Sequence, residues 1–331
     1  KRLYMGHEEA EPQVSAALGD LTGVGQPVFK ECILANVSVC PSTETGVGVA
    51  VVFTNQQAQA RTFHAHLPFK APSSGGSYSV ADDKAASVAA QLTPISARDS
   101  YLRGINGGDA GVDMVWVDFV VSVPAYGYTT AFVTPASSEE EAPLTAVPRV
   151  LDLATGVGVA PSLLPSGSGV TLTSDGDYSV TNGGYTVDVS QATGLVSSVT
   201  NNEDQLSVDL TQNFFWYNSS AGEGCTGDNC GQGINQASGA YIFRPNGTAP
   251  FLVTDAPTSV QVTGSSVAME IRQTWSNWVT QVVRLWSNAS TVEFEWTVGP
   301  IPISDDEGHE VIAHYASTLD TNATWYTDSN G

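Results

Sequence analysis

Hydrophobic and polar residues follow two different periods along this chain, and the change between them divides it. Residues 1–25 carry apolar side chains at helical spacing, which predicts the late part of a helix. Its apolar side includes Val14, Leu18 and Leu21. After about residue 25 the pattern changes to alternation with a period of two, rich in β-branched residues. We therefore expect a mainly β protein, with two antiparallel β-sandwich domains preceded by a short helical segment.

The first sandwich is expected over residues 26–135. Residues 46–55 predict a buried strand, and residues 61–69 alternate and predict a strand that ends at a proline. Residues 71–83, rich in serine and glycine, predict a loop. Residues 114–133 predict two strands that are separated by a proline and a glycine.

The second, larger sandwich is expected over residues 171–331, after a linker or long surface connection at 136–170. The connection is polar, acidic and bounded by prolines. An Asn-Gly-Gly turn at 182–184 separates two alternating runs and predicts a hairpin. Residues 260–299 predict a meander of four strands.

Charge and length restrict the class of partner. The 331 residues can enclose two cores, and the formal net charge is −22, with 34 acidic residues against 12 Lys and Arg. This balance argues against nucleic acid, which is bound by basic patches. No run of about 18 apolar residues is present, so no membrane span is expected.

Cysteines and glycosylation motifs both indicate an oxidising compartment. The cysteines form two close pairs, Cys32 with Cys40 and Cys225 with Cys230, without a nearby histidine that would suggest zinc. We predict two local disulfides; four reduced thiols are the alternative. Five N-glycosylation acceptors are present, at Asn36, Asn218, Asn246, Asn288 and Asn322. We expect a glycoprotein of the lysosome or vacuole, or a secreted one. The first residues lack the apolar segment of a signal peptide, and we expect a fragment of a longer polypeptide.

Three groups of residues have some of the features of a metal site. His64 and His66 share one face of a strand, but no third ligand is near in sequence, which favours a solvent-facing pair. His7 with Glu8 and Glu9 resembles part of a metal cluster, but the solvated end of a helix explains these residues at least as well. Residues 305–310 lack the alternating oxygen ligands of a calcium loop, which favours a plain acidic loop. No metal site is predicted in this chain.

The most specific stretch is QASGAYIFRPN, residues 236–246, with a predicted strand at 240–243 and with Tyr241 and Arg244 close together. It resembles a hallmark of the class II α-mannosidases, glycoside hydrolase family 38, especially the lysosomal type. TQNFFWYNSSAG, VVRLW, VEFEWTVGPIPI and WYTDSNG are similar to family stretches in the same order, and CILANVSVC resembles a disulfide loop of the lysosomal enzymes.

The resemblance implies a three-part enzyme. An N-terminal domain carries the aspartate nucleophile and most of a zinc site, a helical bundle follows, and β-sandwich domains come last. Residues 1–25 would be the end of the bundle, and residues 171–331 a truncated galactose mutarotase-like sandwich. The family's His-His-Asp zinc segment and nucleophile segment have no counterpart in this sequence. Zinc is therefore expected in the complete enzyme, bound by the missing catalytic domain, with no catalytic residue and no cofactor in this chain.

The resemblance also assigns two residues. Tyr241 would line the mannose pocket by reaching toward the catalytic domain, and Arg244 would lie at the domain interface, where its planar guanidinium suits carboxylates. An ordinary half-buried sandwich tyrosine is the alternative for Tyr241. The expected partners are the catalytic N-terminal portion and the remaining C-terminal portion of the same precursor, together with mannose-containing glycans.

The function expected is that of the non-catalytic β-sandwich portion of a lysosomal-type α-mannosidase, which hydrolyses terminal α-mannose residues of glycoprotein glycans with retention. An inactive, mannosidase-like structural or carbohydrate-binding glycoprotein in an extracellular assembly is the alternative. An unrelated adhesin built of two sandwiches fits the composition but not the ordered motifs.

Overall fold

The computed structural model divides into two compact units, residues 1–146 (unit 1) and residues 147–331 (unit 2). The division falls inside the connection predicted for 136–170. The structure describes residues 2–22, 29–73, 76–109, 111–136, 144–145, 169–173, 177–222, 237–239, 241–264 and 267–327. Neither helix of this described part combines the length and hydrophobicity that a bilayer-crossing segment needs.

The described part of unit 1 contains two α-helices, α1 (Arg2–Thr22) and α2 (Ala97–Ile105). The first was predicted, although its apolar side is only partly covered: Leu21 is 61% exposed. The second was not predicted, because the sequence after about residue 25 was interpreted as strands and loops. Its start carries a capping box, in which Ser96 Oγ accepts from Asp99 N and Asp99 Oδ2 accepts from Ser96 N. A Ser-x-x-Asp sequence is the signal for such a start.

The described part of unit 1 forms two four-stranded sheets, β1-β7-β3-β4 and β2-β6-β5-β8. Their strands are β1 (Val49–Thr54), β2 (Arg61–Lys70), β3 (Ser77–Ala81), β4 (Ser87–Val88), β5 (Ala90–Pro94), β6 (Met114–Val123), β7 (Tyr128–Ala136) and β8 (Leu144–Thr145). Pairing is antiparallel except between β5 and β8. A shared core that includes Phe69, Phe119 and Val133 confirms the sandwich.

Two strand predictions in unit 1 need correction. The loop predicted at 71–83 contains β3, whose Tyr78 and Val80 are buried and which pairs with β7. The intervening serines hide this alternation in the sequence. The strand predicted as buried at 46–55 is β1, which is only half-buried because it lies at the edge of its sheet.

The described part of unit 2 forms a seven-stranded sheet, β14-β13-β12-β11-β10-β9 with β19 beside β13, and a four-stranded sheet, β15-β16-β17-β18. Their strands are β9 (Val170–Leu172), β10 (Tyr178–Thr181), β11 (Tyr185–Val189), β12 (Val196–Asn201), β13 (Leu206–Asn218), β14 (Phe251–Leu252), β15 (Ser259–Gly264), β16 (Ala268–Thr274), β17 (Val279–Trp286), β18 (Glu293–Val298) and β19 (His309–Ser317). The hairpin at 182–184 and the four-strand meander are confirmed. In the hairpin, Asn182 Oδ1 accepts from the Gly184 and Tyr185 amides.

A chain of buried glutamines connects the two sheets of unit 2. Gln212 of β13 and Gln281 of β17 exchange two amide hydrogen bonds of 2.6 Å each. Gln281 also donates to Gln273 of β16 at 2.8 Å, and Gln273 donates to the Gly194 carbonyl at 2.6 Å. The three side chains are at most 2% exposed. Because buried amides need hydrogen-bond partners, these glutamine side chains favour the one alignment of the two sheets in which all of their bonds can form.

A disulfide joins Cys32 and Cys40, with 5.1 Å between the two Cα atoms. Next to it, Arg103 of α2 forms a bidentate ion pair with Glu44, at 2.8 and 2.6 Å. Glu44 Oε1 also accepts from the Cys40 amide at 3.0 Å. One buried arginine therefore attaches the disulfide loop to α2. Cys225 and Cys230 lie outside the described residues.

Candidate functional site

The segment that contains Tyr241 is attached to the end of β13 by backbone hydrogen bonds. The Ser220 amide donates to the Arg244 carbonyl at 2.7 Å, and the Ser220 carbonyl accepts from the Ser238 amide at 2.9 Å. The Asn246 amide donates to the Asn218 carbonyl at 2.9 Å. The strand predicted at 240–243 is wrong: in its described part, residues 241–243, the backbone forms a loop beside an isolated bridge at Pro245.

Tyr241 is 100% exposed and lies at the tip of this loop. It is therefore not a half-buried tyrosine of the sandwich. Ile242 beside it is 52% exposed, whereas Arg244 is half-buried. The loop therefore exposes the phenol of Tyr241 and the apolar side chain of Ile242, whereas Arg244 lies closer to the sheet.

A hydrogen-bonded cluster lies beside the same strand end. The Asn218 Oδ1 atom accepts from Trp216 Nε1 at 3.1 Å and lies 3.0 Å from His309 Nδ1. Because the indole N–H is only a donor, the atom facing it must be the amide oxygen. The other ring nitrogen of His309 lies 3.1 Å from Asp305 Oδ2. These side chains join β13, β19 and the 305–308 loop.

In the acidic loop at 305–310, the carboxylate of Asp305 bonds to neighbouring residues. The Glu307 amide donates to Asp305 Oδ1 at 3.2 Å, and this hydrogen bond and His309 keep the pKa of Asp305 below its usual value. The Gly308 amide donates to Ser219 Oγ at 3.1 Å. The loop thus supports the end of β13.

Aromatic rings form a base beneath the strand end. Trp216 stacks on Phe251 with 6.0 Å between ring centres, and it meets Trp278 and His309 edge-on at 6.1 and 6.0 Å. Packing of this kind fixes the orientation of Trp216 and, through it, of the Asn218 amide. The arrangement offers no pair of free carboxyl groups for proton transfer among the residues named.

The histidine pair in β2 does not face solvent as expected. The His66 ring stacks on Trp116 with 3.9 Å between centres, and its Nδ1 lies 2.5 Å from Asp118 Oδ1. Asp118 is fully buried and also accepts from Gln91 Nε2 at 3.0 Å. This pairing could not be predicted from local sequence, because its partners are 52 residues apart. The side chains of His7 and Glu8 lie outside the described residues.

A buried ion pair in unit 2 was also not predicted from the sequence. Arg284 of β17 donates to Glu270 of β16 and to Glu295 of β18, both at 2.8 Å. Burial by itself would lower the pKa of Arg284, but Glu270 and Glu295 outweigh that effect and raise it. Charged residues inside the apolar alternation of 268–274 and 279–286 were the available signal.

The predicted glycosylation acceptors lie at different kinds of position. Four are exposed, namely Asn36, Asn246, Asn288 and Asn322. Asn218 is half-buried, and its side-chain oxygen is engaged as described above. Glycosylation of all five stays a prediction.

A separate cleft of about 490 Å³ lies in unit 1. Its lining residues are Leu18, Leu21, Thr54, Asn55, Gln56, Tyr126, Gly127 and Tyr128. None of these is a carboxylate, histidine or cysteine, so the cleft offers no acid–base chemistry near neutral pH. Tyr241 belongs to unit 2 and is not part of this cleft.

Comparison with known proteins finds similarity to glycoside hydrolases. Residues 180–331 match the model described as "Glycosyl hydrolases family 38 C-terminal domain". The whole chain is 30% identical over 350 residues to an alpha-mannosidase of Canavalia ensiformis, and it covers 32% of that protein. It is also 30% identical over 331 residues to the lysosomal alpha-mannosidase of Homo sapiens, covering 28% of it, and 28% identical over 345 residues to that of Dictyostelium discoideum, covering 31%. In each comparison 100% of this chain is covered. The chain thus spans less than a third of the length of these curated relatives.

Proposed function

We propose that this chain is the β-sandwich portion of an α-mannosidase. The premise is that residues 180–331 belong to the glycosyl hydrolase family 38 C-terminal domain family. The complete enzyme would hydrolyse terminal α-mannose residues of glycoprotein glycans with retention. Support comes from relatives named alpha-mannosidase that match the chain from end to end. The portion would be non-catalytic, and its partners would be the rest of the same precursor and mannose-containing glycans.

The chemistry of a retaining glycosidase needs two carboxyl groups about 5–5.5 Å apart across the scissile bond. Beside the Tyr241 loop, Asp305 is occupied by His309 and by a backbone amide. We therefore assign the nucleophile and the zinc to the catalytic portion of the precursor. Zinc, when bound there, would hold sugar hydroxyls and favour distortion of the ring. The residues near the loop do not fit this ion, because Asp305 and both nitrogens of His309 have protein partners.

The observation that carries the proposal is the complete exposure of Tyr241 on an anchored loop. An exposed phenol can form a hydrogen bond with a sugar hydroxyl, and it can stack its ring on a sugar face. We propose that Tyr241 lines the mannose pocket formed with the catalytic portion, in a positioning role without proton transfer. Arg244, closer to the sheet, would lie at the interface with that portion.

Tyr241→Phe in the complete polypeptide tests this role. One lost hydrogen bond to a neutral hydroxyl is worth about 0.5–1.5 kcal/mol, or up to roughly tenfold in kcat/KM. Tyr126→Phe, at a 75% exposed tyrosine of unit 1, is the matched control and should keep the wild-type value. Wild-type kinetics with a chromogenic mannoside for both Tyr241→Phe and Tyr241→Ala would remove Tyr241 from the pocket.

The division of labour has its own test. The 331-residue chain by itself should release no mannose and bind no zinc with the affinity of a catalytic site. Turnover by the purified chain would contradict the proposal. If the complete polypeptide lacks both the zinc segment and activity, the result favours the alternative, an inactive mannosidase-like glycoprotein.

The compartment proposed is the lysosome or vacuole, or the extracellular space. It is supported by the lysosomal relatives, by the Cys32–Cys40 disulfide and by exposed glycosylation acceptors. Fractionation of cells that express the complete polypeptide tests it. A cytosolic, unglycosylated product would contradict it.

A further inference from the structure

We propose that Ser238 is the residue that positions Tyr241, an inference that rests on the proposed role of Tyr241. Because Tyr241 is fully exposed, packing against the sandwich does not fix its place. Its position must come from the backbone of its loop, and Ser238 closes that loop.

The Ser238 hydroxyl bonds to both backbone groups of one residue on the other side of the loop. It accepts from the Arg244 amide at 2.8 Å and donates to the Arg244 carbonyl at 2.7 Å. A hydroxyl can do both because it has one donor and two acceptor positions. Within the loop, the Gly239 amide donates to the Ile242 carbonyl at 3.0 Å. The described residues of this loop, 239 and 241–243, are thereby held by hydrogen bonds across its neck, with Tyr241 at its tip.

The same residue connects the loop to the sheet. The Ser238 amide donates to the Ser220 carbonyl at 2.9 Å, and the Ser220 amide donates to the Arg244 carbonyl at 2.7 Å. Both ends of the loop are therefore bound to the end of β13, and the Ser238 side chain bonds them to each other. Removing the hydroxyl leaves the attachment to Ser220 in place but releases the bond across the neck of the loop.

The expected consequence is a loss of order at Tyr241 without unfolding of the sandwich. In the complete polypeptide, Ser238→Ala should lower kcat/KM by most of the factor lost in Tyr241→Ala. The double variant should be no worse than Tyr241→Ala, because both changes act on the same contact. Ser238→Thr keeps the hydroxyl and should retain the wild-type value, whereas Ser238→Val, of similar shape, should behave like Ser238→Ala.

A second readout does not depend on activity. Chymotrypsin should cleave after Tyr241 several-fold faster in Ser238→Ala and Ser238→Val than in wild type or Ser238→Thr, at an unchanged thermal midpoint. The matched control is Ser276→Ala, because Ser276 Oγ accepts from the Trp278 and Val279 amides in another turn of unit 2. This control should leave both the kinetics and the cleavage after Tyr241 unchanged.

The outcomes distinguish a failure of the inference about Ser238 from a failure of the proposed role of Tyr241. If Tyr241→Ala keeps wild-type kinetics, the proposed role of Tyr241 fails, and the positioning role falls with it. If Tyr241→Ala is impaired but Ser238→Ala and Ser238→Val are not, only the inference about Ser238 is overturned. Losses that multiply in the double variant would also overturn it, because Ser238 would then act apart from Tyr241.

Discussion

Replacing Arg103 with alanine should strongly destabilise unit 1. The Arg103 side chain is 1% exposed and forms the bidentate pair with Glu44, whose side chain is 18% exposed. It also donates to the Ser38 carbonyl, and its Nε donates to the Asp109 carbonyl at 3.2 Å. The loop closed by the Cys32–Cys40 disulfide therefore depends on one side chain of α2.

The magnitude follows from what the substitution leaves behind. Glu44 would keep its bond from the Cys40 amide but lose its positive partner, and the Ser38 carbonyl would lose a donor. Breaking a buried ion pair from one side costs about 3–5 kcal/mol, because the remaining charge has no compensation. Partial exposure of Glu44 favours the lower part of that range. For a unit of this size, the loss corresponds to a fall in Tm of roughly 6–20 °C.

Calorimetry of the complete polypeptide at pH 7 measures this fall. The control is Arg61→Ala, the same change at an exposed arginine of β2, which should move the transition by no more than about 2 °C. Glu44→Gln in the Arg103→Ala background should recover part of the loss, because it removes the unpaired charge. Equal transitions for Arg103→Ala and Arg61→Ala would refute the reasoning.

Further predictions concern acid, the core and covalent modification. The hydrogen bond from Arg103 is the main reason that the pKa of Glu44 is lowered in the folded protein. The stability that ionised Glu44 contributes is therefore complete above its unfolded pKa of about 4.3 and is lost as the pH falls through its folded pKa. Measurements of Tm against pH should show this loss at acid pH, and Glu44→Gln should abolish it. Gln281→Leu should cost roughly 1–3 kcal/mol in urea unfolding, because it leaves buried amides without partners, and an unchanged midpoint would count against the glutamine chain. Removing the Cys32–Cys40 bond should cost about 2–3 kcal/mol, and peptide mapping without reductant should recover the two cysteines as one linked peptide. Mass spectrometry of native material should find glycans on some acceptor asparagines; if all are bare, the proposed compartment is wrong.

The candidate site could be predicted only in part. The motif around Tyr241 and Arg244 directed attention to the loop that we propose as part of the site, because that stretch is long and specific; its role stays a prediction. The support of the loop could not be read from the chain: Asn218 and His309 meet although 91 residues separate them. The role of Ser238 also depends on backbone geometry, since the serine itself is an ordinary residue in a polar turn.

The sequence by itself determined the elements whose signal is local. Alternation with a period of two, interrupted by glycine and asparagine turns, was enough for the hairpin at 182–184 and for the meander of β15 to β18. Neighbouring strands joined by short turns pair with each other, so that no distant part of the chain has to be known.

The tertiary structure decided the elements whose partners are distant. β3 became a strand by pairing with β7 despite its serines, and residues 241–243 remained a loop despite their apolar character. Distant partners also determine the environment of His66, which was expected to face solvent but lies against Trp116 and Asp118. Propensity is a weak preference of a fraction of a kcal/mol per residue, whereas pairing and burial of a segment contribute several, and they depend on residues that are far away in the sequence.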